Sequence, residues 1–444
     1  MKHCLVAALL SVSLLTAGCQ EKIDISKMSS VDIPQSSVAR VTPDPASTKD
    51  IPKLITPSLQ NVGQIYNEAV LKGKINDAQA VRLSHLQGVL LDMLTTISDT
   101  QAEILSKVKH ISLNGLRKIS DKQAASLAKV EGSISLDGLS TITDAQAESF
   151  GESNALDIGL NGLKNITDAQ ADSLSMAKSV GLSGLITITD KQARIFVKKK
   201  SVSLPELKSI TDSQAEILGQ VRFLDLNGLT KITSAQAESL GKVHTHLSLN
   251  GLTNINETQA KGLSENPVFI LEMDGLDSIS DLQAEILGKI SRLHLNGLKV
   301  ITDSQAESLG RASRISLDGL ATITDAQAKS LSKVEHLSLN SLTSISDKQA
   351  ASLAKVEGRI SLNGLSSITD AQAESFGESN ALDIALNGLI TITDAQAESL
   401  SSVKDLHLSG LTEVTDAQAK SLSRCNFLTT SPSISKQINE VKNK

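Results

Sequence analysis

The 444-residue sequence predicts an α/β fold, a solenoid with parallel strands on one face and short helices on the other. Three observations predict it. The dipeptide Gln-Ala recurs along the chain at a nearly constant spacing, an alternating apolar and polar segment precedes each copy, and a helix-capping sequence surrounds it. A short repeat of this kind is typical of a solenoid, in which each unit buries its apolar face against its neighbours.

The repeat region spans residues 75–423 and holds sixteen copies. From the second copy onward, the spacings between successive glutamines run 22, 23, 24, 22 and 22 and then begin again, so the pattern recurs after five copies. The segment 120–175 is identical to 346–401, two such periods later, at 49 of 56 positions. The glutamines that mark the copies are Gln79, Gln101, Gln123, Gln146, Gln170, Gln192, Gln214, Gln236, Gln259, Gln283, Gln305, Gln327, Gln349, Gln372, Gln396 and Gln418.

Residues 1–18 are predicted to be a signal peptide. Lys2 and His3 precede an apolar stretch that is too short to span a membrane. The sequence Leu15-Thr-Ala-Gly-Cys19 resembles the lipobox of bacterial lipoproteins. The resemblance implies that Cys19 carries acyl chains such as palmitate, which anchor the chain to a membrane. Because Gln20 follows, it also implies an outer-membrane lipoprotein, periplasmic or surface-exposed. A plain secretory signal with an incidental cysteine is the alternative.

The repeat region is predicted to be joined to the anchor by a linker and closed by a cap at each end. Residues 19–60 hold five of the eight prolines among Ser, Thr, Asp and Lys, which is typical of a flexible linker. Residues 61–74 are predicted to form an N-terminal cap with a helix at 65–71. Residues 424–444 are predicted to form a C-terminal cap, with a strand at 426–428 and a polar helix at 433–444. End units of a solenoid depart from the repeat because they cover its core.

Each repeat begins with a predicted strand of about five residues. In the segment from Ile134 to Leu139, apolar and polar residues alternate, as in a strand with one buried face. Parallel stacking of fifteen full strands then makes one continuous face, roughly 70 Å long.

The second half of each repeat is a predicted helix. Thr143 stands at its N-cap and Gln146 three residues later, which makes a capping box. The N-cap is Ser or Thr in fourteen copies and Asn in two, and Asp follows it in fourteen. A negative charge at this place complements the helix dipole. Since capping accounts for the Asp residues, they are not predicted to be catalytic.

The repeat resembles the leucine-rich repeat, in the variant that reads LxLxGCxxITDxGLxxL. The resemblance covers residues 75–423 and implies a curved solenoid that binds a protein or another ligand. One position departs from the family. Where most leucine-rich repeats place Asn or Cys after the strand, this chain places Leu, as at Leu116, Leu139, Leu163 and Leu185. The asparagine ladder that normally satisfies backbone groups there is therefore expected to be absent.

Two columns of side chains are predicted to face outward from the strands. The first runs from Ser112 to His407 and is mostly small. The second is rich in Asn and Asp, and it is interpreted either as a hydrogen-bonded ladder along the solenoid or as a polar surface for a protein or a glycan. Its candidate binding residues are Asn114, Asp137, Asn161, Asn227, Asn250, Asp274, Asn296, Asp318, Asn340, Asn363 and Asn387.

Two places where the repeat pattern is irregular contain further candidate site residues. Lys198, Lys199 and Lys200 form a local basic cluster shortly before Pro205, and they are interpreted as a solvated face or as a contact for an anionic partner. The pair His244 and His246, with His294 two repeats away, could hold a metal only if the rings converged. They are interpreted as ordinary loop and strand positions, so no metal site is predicted.

The amino-acid composition narrows the range of ligands and activities that the chain can have. The chain has six Phe, one Tyr and no Trp, which disfavours aromatic platforms for sugars or bases. Its formal net charge is −6 and no extended basic stripe is visible, so no nucleic-acid partner is predicted. The sequence contains no phosphate loop, nucleophile elbow or zinc-binding spacing. We therefore expect no cofactor and no enzymatic activity.

Together, these observations predict a non-catalytic, lipid-anchored envelope protein whose solenoid binds or adheres to a protein or a glycan. One alternative is a structural periplasmic spacer or scaffold without a dedicated ligand. A glycan-active enzyme built on the solenoid is a second alternative, since parallel β-helices can carry such sites.

Overall fold

The computed structural model describes residue 65, residues 72–266 and residues 270–442. Over this part of the chain, sixteen strands alternate with seventeen α-helices, and every paired strand is parallel to its neighbour. The predicted α/β solenoid is confirmed, and its regular strand–helix units fit the leucine-rich-repeat architecture. The predicted signal peptide (1–18), Cys19 with the linker (19–60) and most of the N-terminal cap (61–74) lie outside the described residues.

The elements follow one another at the repeat spacing. The helices are α1 Asp77–Leu83, α2 Asp99–Leu105, α3 Asp121–Leu127, α4 Asp144–Gly151, α5 Asp168–Leu174, α6 Asp190–Phe196, α7 Asp212–Leu218, α8 Ser234–Leu240, α9 Glu257–Leu263, α10 Asp281–Leu287, α11 Asp303–Leu309, α12 Asp325–Leu331, α13 Asp347–Leu353, α14 Asp370–Gly377, α15 Asp394–Leu400, α16 Asp416–Leu422 and α17 Pro432–Lys442. A 3₁₀ helix follows α6 at Val197–Lys199. The strands are β1 Gly88–Leu90, β2 His110–Ser112, β3 Ser133–Ser135, β4 Asp157–Gly159, β5 Val180–Gly181, β6 Ser201–Ser203, β7 Phe223–Asp225, β8 His246–Ser248, β9 Ile270–Glu272, β10 Arg292–His294, β11 Arg314–Ser316, β12 His336–Ser338, β13 Arg359–Ser361, β14 Asp383–Ala385, β15 Asp405–His407 and β16 Phe427–Thr429.

The strands form two sheets rather than one face. Strands β1 to β5 make a five-stranded sheet, and β6 to β16 make an eleven-stranded sheet, both in sequence order. The strands are also shorter than expected, with three residues in every case except β5, which has two. Backbone pairing ends early because the next outward-facing N–H of each repeat, that of Asn114 for example, is bound by a side chain of the preceding repeat, here Asp92 at 2.9 Å.

The core is a stack of thin, nearly identical layers. In one repeat, Ile315 and Leu317 face inward from the strand side, Leu320 from the turn, and Ala328 and Leu331 from the helix, and all five are buried. The small Ala lets the helix approach the strands closely. Burial of each large aliphatic side chain contributes roughly 2 kcal/mol, so each repeat depends on its neighbours for most of its stability.

All sixteen repeat helices begin with the predicted capping box. In α11, the backbone N–H of Thr302 donates to Gln305 Oε1 at 2.9 Å, and the N–H of Gln305 donates to Thr302 Oγ1 at 3.0 Å. The Asp residues that follow the caps also accept bonds from the next repeat, as Thr324 Oγ1 donates to Asp303 Oδ1 at 2.8 Å.

The repeat glutamines do more than cap their own helices. Nε2 of Gln305 donates to the carbonyl of Ile279 in the preceding repeat at 2.9 Å. The equivalent bond is made by every repeat glutamine from Gln101 to Gln418, and we call this series the glutamine ladder. In α17, Gln437 Nε2 makes the same kind of bond to the carbonyl of Val414, at 2.8 Å. Since a glutamate could cap the helix but could not donate this bond, the ladder explains why the residue is Gln.

The turns after the strands stack so closely that most of them require glycine. A Cβ built on Gly319 would lie 2.5 Å from the carbonyl oxygen of Leu298 and nearer still to that of Asn296, both in the preceding repeat. Most repeats carry a glycine at this place with the same two neighbours. The exceptions among the described turns are Met93 in the first repeat, Glu206 and Ser341.

The stack is interrupted between β5 and β6. No backbone pairing joins these strands, and Lys200 adopts a left-handed conformation with φ of 62°. Pro205, at the strand exit, has no N–H to donate. The glutamine ladder continues across the interruption, because Gln214 Nε2 donates to the carbonyl of Ile188 at 2.9 Å. The strand face is therefore broken while the helix face remains joined.

The C-terminal end is closed by β16 and α17, within the region predicted as a cap. Strand β16 pairs with β15, and Ile434 and Ile438 of α17 are buried. Cys425 is buried between them and the last repeat, and burial raises the pKa of its thiol to about 11. Within the described ranges, no helix has the length and apolar character needed to cross a membrane.

Candidate functional site

The second outward column is a hydrogen-bonded ladder. The Oδ1 atom of Asn296 accepts the backbone N–H of Asp318 at 2.9 Å, and Oδ1 of Asp318 accepts that of Asn340 at 2.8 Å. All eleven predicted candidates of this column accept the N–H of the next repeat in the same way, at 2.8–3.0 Å. The ladder interpretation of the column is therefore confirmed, while binding by these residues stays a prediction.

The expectation that an asparagine ladder would be absent is wrong. Leu116 and its equivalents do occupy the place where most leucine-rich repeats carry Asn or Cys, but the residue two positions earlier, Asn114, performs the task. Its Oδ1 binds both the backbone N–H of Asp137 and the hydroxyl of Ser135, at 2.8 Å each. The family's residue order places the ladder at the position of Leu116. In this chain, the geometry of the turn places it in the second outward column, where a ladder was one of the two interpretations.

The basic cluster lies beside the interruption of the sheet. Lys198 and Lys199 are in the 3₁₀ helix, Lys200 follows it, and all three are exposed. Lys199 Nζ donates to the carbonyl of Ala177 in the preceding repeat at 2.7 Å, so this lysine has a structural bond. Contact of the cluster with an anionic partner remains a prediction.

The three predicted histidine positions do not form one ligand set. His244 Nδ1 lies 3.1 Å from the carbonyl oxygen of Val221. His246 and His294 lie on β8 and β10, with Glu272 of β9 between them. Glu272 Oε1 is 3.0 Å from His246 Nε2 and 3.6 Å from His294 Nδ1. Glu272 therefore contacts an imidazole on the strand to each side of it.

A third outward column, which the sequence patterns did not reveal, is made by the first residue of each strand. Its members on β10 to β13 are Arg292, Arg314, His336 and Arg359, and the strand register places them side by side. We call them the basic row. The alternation of apolar and polar residues could have identified this column. The column stands two residues closer to the N-terminus of each strand than the first of the two predicted columns.

Three members of the basic row, Arg314, His336 and Arg359, form one wall of a shallow groove of about 480 Å³. Arg292 lies next to Arg314 on the neighbouring strand. The floor consists of small side chains from the third strand position, Ser316, Ser338, Ser361 and Ala385. The opposite wall contains Asn363 and Asn387 of the asparagine ladder. Small floor residues between two longer columns leave space for an extended ligand along the strand face.

The electrostatic character of the groove is positive. Arg359 Nε pairs with Asp383 Oδ2 at 2.9 Å, whereas no ion pair engages Arg292 or Arg314 within the described part of the chain. Burial, followed by the nearby guanidinium of Arg314, lowers the pKa of His336. Burial is the larger cause, and the contribution of Arg314 reflects the positive charges beside the imidazole. Glu335 Oε1 lies 3.8 Å from His336 Nε2, so the groove offers only partly compensated cations to an anionic ligand.

The groove has donors suited to carboxylates and no aromatic surface. Guanidinium groups bind carboxylates in a planar, bidentate manner, and hydroxyl and amide groups of the floor and far wall can donate further bonds. No Phe, Tyr or Trp belongs to its lining. Stacking on a sugar or a base, a common feature of glycan and single-strand nucleic-acid sites, is not available here.

Comparisons with known proteins leave the function open. No family model and no curated protein matches the chain. Similar solved structures include an internalin (inlF) from Listeria monocytogenes, 13% identical over 83% of this chain and 96% of that one, with a TM-score of 0.31. The functional domain of InlJ from Listeria monocytogenes is 9% identical over 77% and 72%, with a TM-score of 0.34. The TLR13–ssRNA13 complex is 14% identical over 79% and 55%, with a TM-score of 0.39. At these low TM-scores, the similarity does not indicate what the groove binds.

Proposed function

We propose that this chain is a non-catalytic, lipid-anchored envelope protein whose eleven-stranded sheet binds an acidic segment of a protein partner. The observation that carries the proposal is the basic row, of which Arg314, His336 and Arg359 line a groove of small polar side chains whose lining contains no carboxylate. Arg292 and Arg314 are its two cations without an ion pair among the described residues.

The dimensions and chemistry of the groove favour a peptide-like ligand. Four adjacent strands place the first and last cation of the row roughly 14 Å apart, which is the length of about four extended residues. Acidic side chains of an extended segment can then reach several guanidinium groups in turn. A glycan would bind without the aromatic platforms that such ligands usually use, and this makes it the second choice.

Charge reversal in the basic row is expected to weaken this binding. The measurement is fluorescence anisotropy of a labelled octaglutamate peptide titrated with the purified chain at low ionic strength. We expect Arg292→Glu combined with Arg314→Glu to weaken binding by at least about tenfold, because each exposed ion pair contributes up to about 1 kcal/mol and the new carboxylates add repulsion.

The matched control is Lys198→Glu combined with Lys200→Glu. It changes the net charge by the same amount beyond the interruption of the sheet, and it is expected to leave the affinity unchanged. Equal weakening by both pairs would mean that the peptide senses only overall charge. Tighter binding of a sulfated hexasaccharide than of the peptide would favour a glycan ligand. If neither probe binds, the spacer role replaces the binding role.

The anchor is tested separately at Cys19. Cys19→Ala is expected to move the chain from the membrane fraction to the soluble fraction of the producing bacterium, because stable anchoring requires the acyl chains. Immunoblotting of fractionated cells measures the distribution. Cys425→Ala, which changes a buried thiol at the far end of the chain, serves as the control and should leave it unaltered. A chain that stays in the membrane fraction without Cys19 would contradict the lipid anchor.

A further inference from the structure

Three potential metal ligands converge beyond the end of the basic row, on β14 and β15. His407 Nε2 lies 3.3 Å from Asp383 Oδ1 and 3.4 Å from Asp405 Oδ1. The ligand atoms of the three residues all lie within 4.8 Å of one another. In the described ranges, no other group of three His, Cys, Asp or Glu side chains converges in this way.

The separations are those of ligands that share one small cation. Nitrogen and oxygen ligands lie about 2.0–2.2 Å from Zn²⁺, and two of them at a tetrahedral angle are about 3.4 Å apart. The distances from His407 Nε2 to the two carboxylate oxygens match this spacing. A metal ion can therefore be accommodated with little movement of the side chains.

Two atoms of the cluster also lack the hydrogen bonds that buried polar atoms normally make. Asp383 Oδ1 and His407 Nε2 are buried and have no hydrogen-bond partner, since their mutual approach does not have hydrogen-bond geometry. Arg359 Nε holds the other oxygen of Asp383, Oδ2, at 2.9 Å. Such an outer contact orients a carboxylate whose remaining oxygen binds a metal.

The internal repetition of the chain supplies a comparison. At the equivalent place ten repeats earlier, Asp157 is retained, but Ser179 and Gly181 stand where the cluster has Asp405 and His407. There the hydroxyl of Ser179 donates to Asp157 Oδ1 at 2.7 Å and satisfies it. In the later copy, Asp405 replaces that donor, so Asp383 Oδ1 lacks the hydroxyl that satisfies Asp157.

We propose that Asp383, Asp405 and His407 bind a Zn²⁺ ion. One imidazole and two carboxylates make a mixed nitrogen and oxygen set that suits Zn²⁺, whereas Ca²⁺ prefers six to eight oxygen ligands. Three protein ligands leave a coordination position for water. The site stands on its own geometry and does not require that the groove bind an acidic partner.

Isothermal titration calorimetry of the tag-free chain with ZnCl₂ at neutral pH tests the site. We expect one saturable site that His407→Ala weakens by at least about tenfold. Asp405→Ser is expected to weaken it as well, and because it copies the Ser179 arrangement, it should restore a hydrogen bond to Asp383 and preserve the fold. Unchanged circular dichroism of this variant without metal separates loss of the site from loss of structure.

The control is His294→Ala, which removes the histidine at the equivalent place five repeats earlier. It is expected to bind Zn²⁺ like the unaltered chain. The proposal is overturned if the unaltered chain shows no saturable site. It is also overturned if His407→Ala and Asp405→Ser bind Zn²⁺ as tightly as the unaltered chain.

Discussion

Replacement of Gly319 by valine is expected to lower the free energy of unfolding by about 3 kcal/mol or more. The turn that contains Gly319 lies against the carbonyl oxygens of Asn296 and Leu298 in the preceding repeat, at distances that leave no room for a Cβ. Because both obstacles are backbone atoms, the repeats must separate to admit the side chain. Urea denaturation followed by circular dichroism measures the effect as a shift of the midpoint.

The control for this substitution is Glu206→Val. Glu206 occupies the equivalent turn at the interruption of the sheet and already has a side chain, so this change is expected to shift stability by less than about 0.5 kcal/mol. Valine is chosen rather than a smaller residue because the equivalent turn of another repeat in the eleven-stranded sheet contains Ser341, so a small side chain is tolerated there. If Gly319→Val unfolds at the same urea concentration as Glu206→Val, close stacking of the turns does not limit the sequence.

Gln305→Glu is expected to cost about 2–3 kcal/mol of unfolding free energy, although it changes only one atom of the side chain. The carboxylate can still accept the N–H of Thr302, but it cannot donate to the buried carbonyl of Ile279, which lies 2.9 Å away. Two oxygens then face each other in a buried place, and an unsatisfied buried acceptor costs about 1–3 kcal/mol before the repulsion is added. Thermal and urea denaturation at neutral pH measure the loss.

Gln220→Glu is the matched control. Gln220 is exposed, and its amide bonds only within its own turn, to the carbonyl of Glu216 at 3.3 Å. The same chemical change is therefore expected to have almost no effect there. A similar loss from both substitutions would indicate that added negative charge, rather than the glutamine ladder, determines the result.

The helix starts could be predicted because their signals are local. The cap residue and its glutamine are three residues apart, and the pairing occurs in all sixteen repeats. The second bond of the same glutamine reaches 26 to 28 residues back along the chain, as from Gln305 to Ile279 and from Gln170 to Ile142. No local pattern contains that partner, so the capping role was predicted and the ladder was not.

Only those parts of the candidate site could be predicted that the alternation of apolar and polar residues within a single repeat reveals. The asparagine column was identified from that alternation. Its hydrogen bonds join neighbouring repeats, so they could be assigned only once the register of the paired strands was known. The basic row was missed because the predicted columns begin later in each strand than its members, Arg292, Arg314, His336 and Arg359. These members lie one full repeat apart in the sequence. Parallel pairing converts this separation into adjacent strands, so a basic surface can exist without any basic stretch in the sequence.

The irregular segment around Lys198 and Pro205 was visible in the sequence, but its effect on the sheet was not. A single Pro can be tolerated at the edge of a strand, so it did not predict an interruption. The interruption follows from several neighbouring changes together. Ser183 lacks a carboxamide to continue the asparagine ladder, Pro205 lacks the N–H that would bind to it, and Lys200 turns the backbone before β6.

The interruption between β5 and β6 has a consequence for cooperativity. In a solenoid, unfolding propagates from unit to unit through the free energy of each junction, as in a one-dimensional chain of coupled elements. The junction at β5 and β6 lacks both the strand bonds and the asparagine bond. It retains helix packing, the glutamine bond from Gln214 to Ile188 and a backbone bond from Lys208 to Ile186. Coupling is therefore weakest there, and the chain divides into an amino-terminal and a carboxy-terminal block that can open separately. Damage or tension in one block then need not spread to the other, which holds the groove.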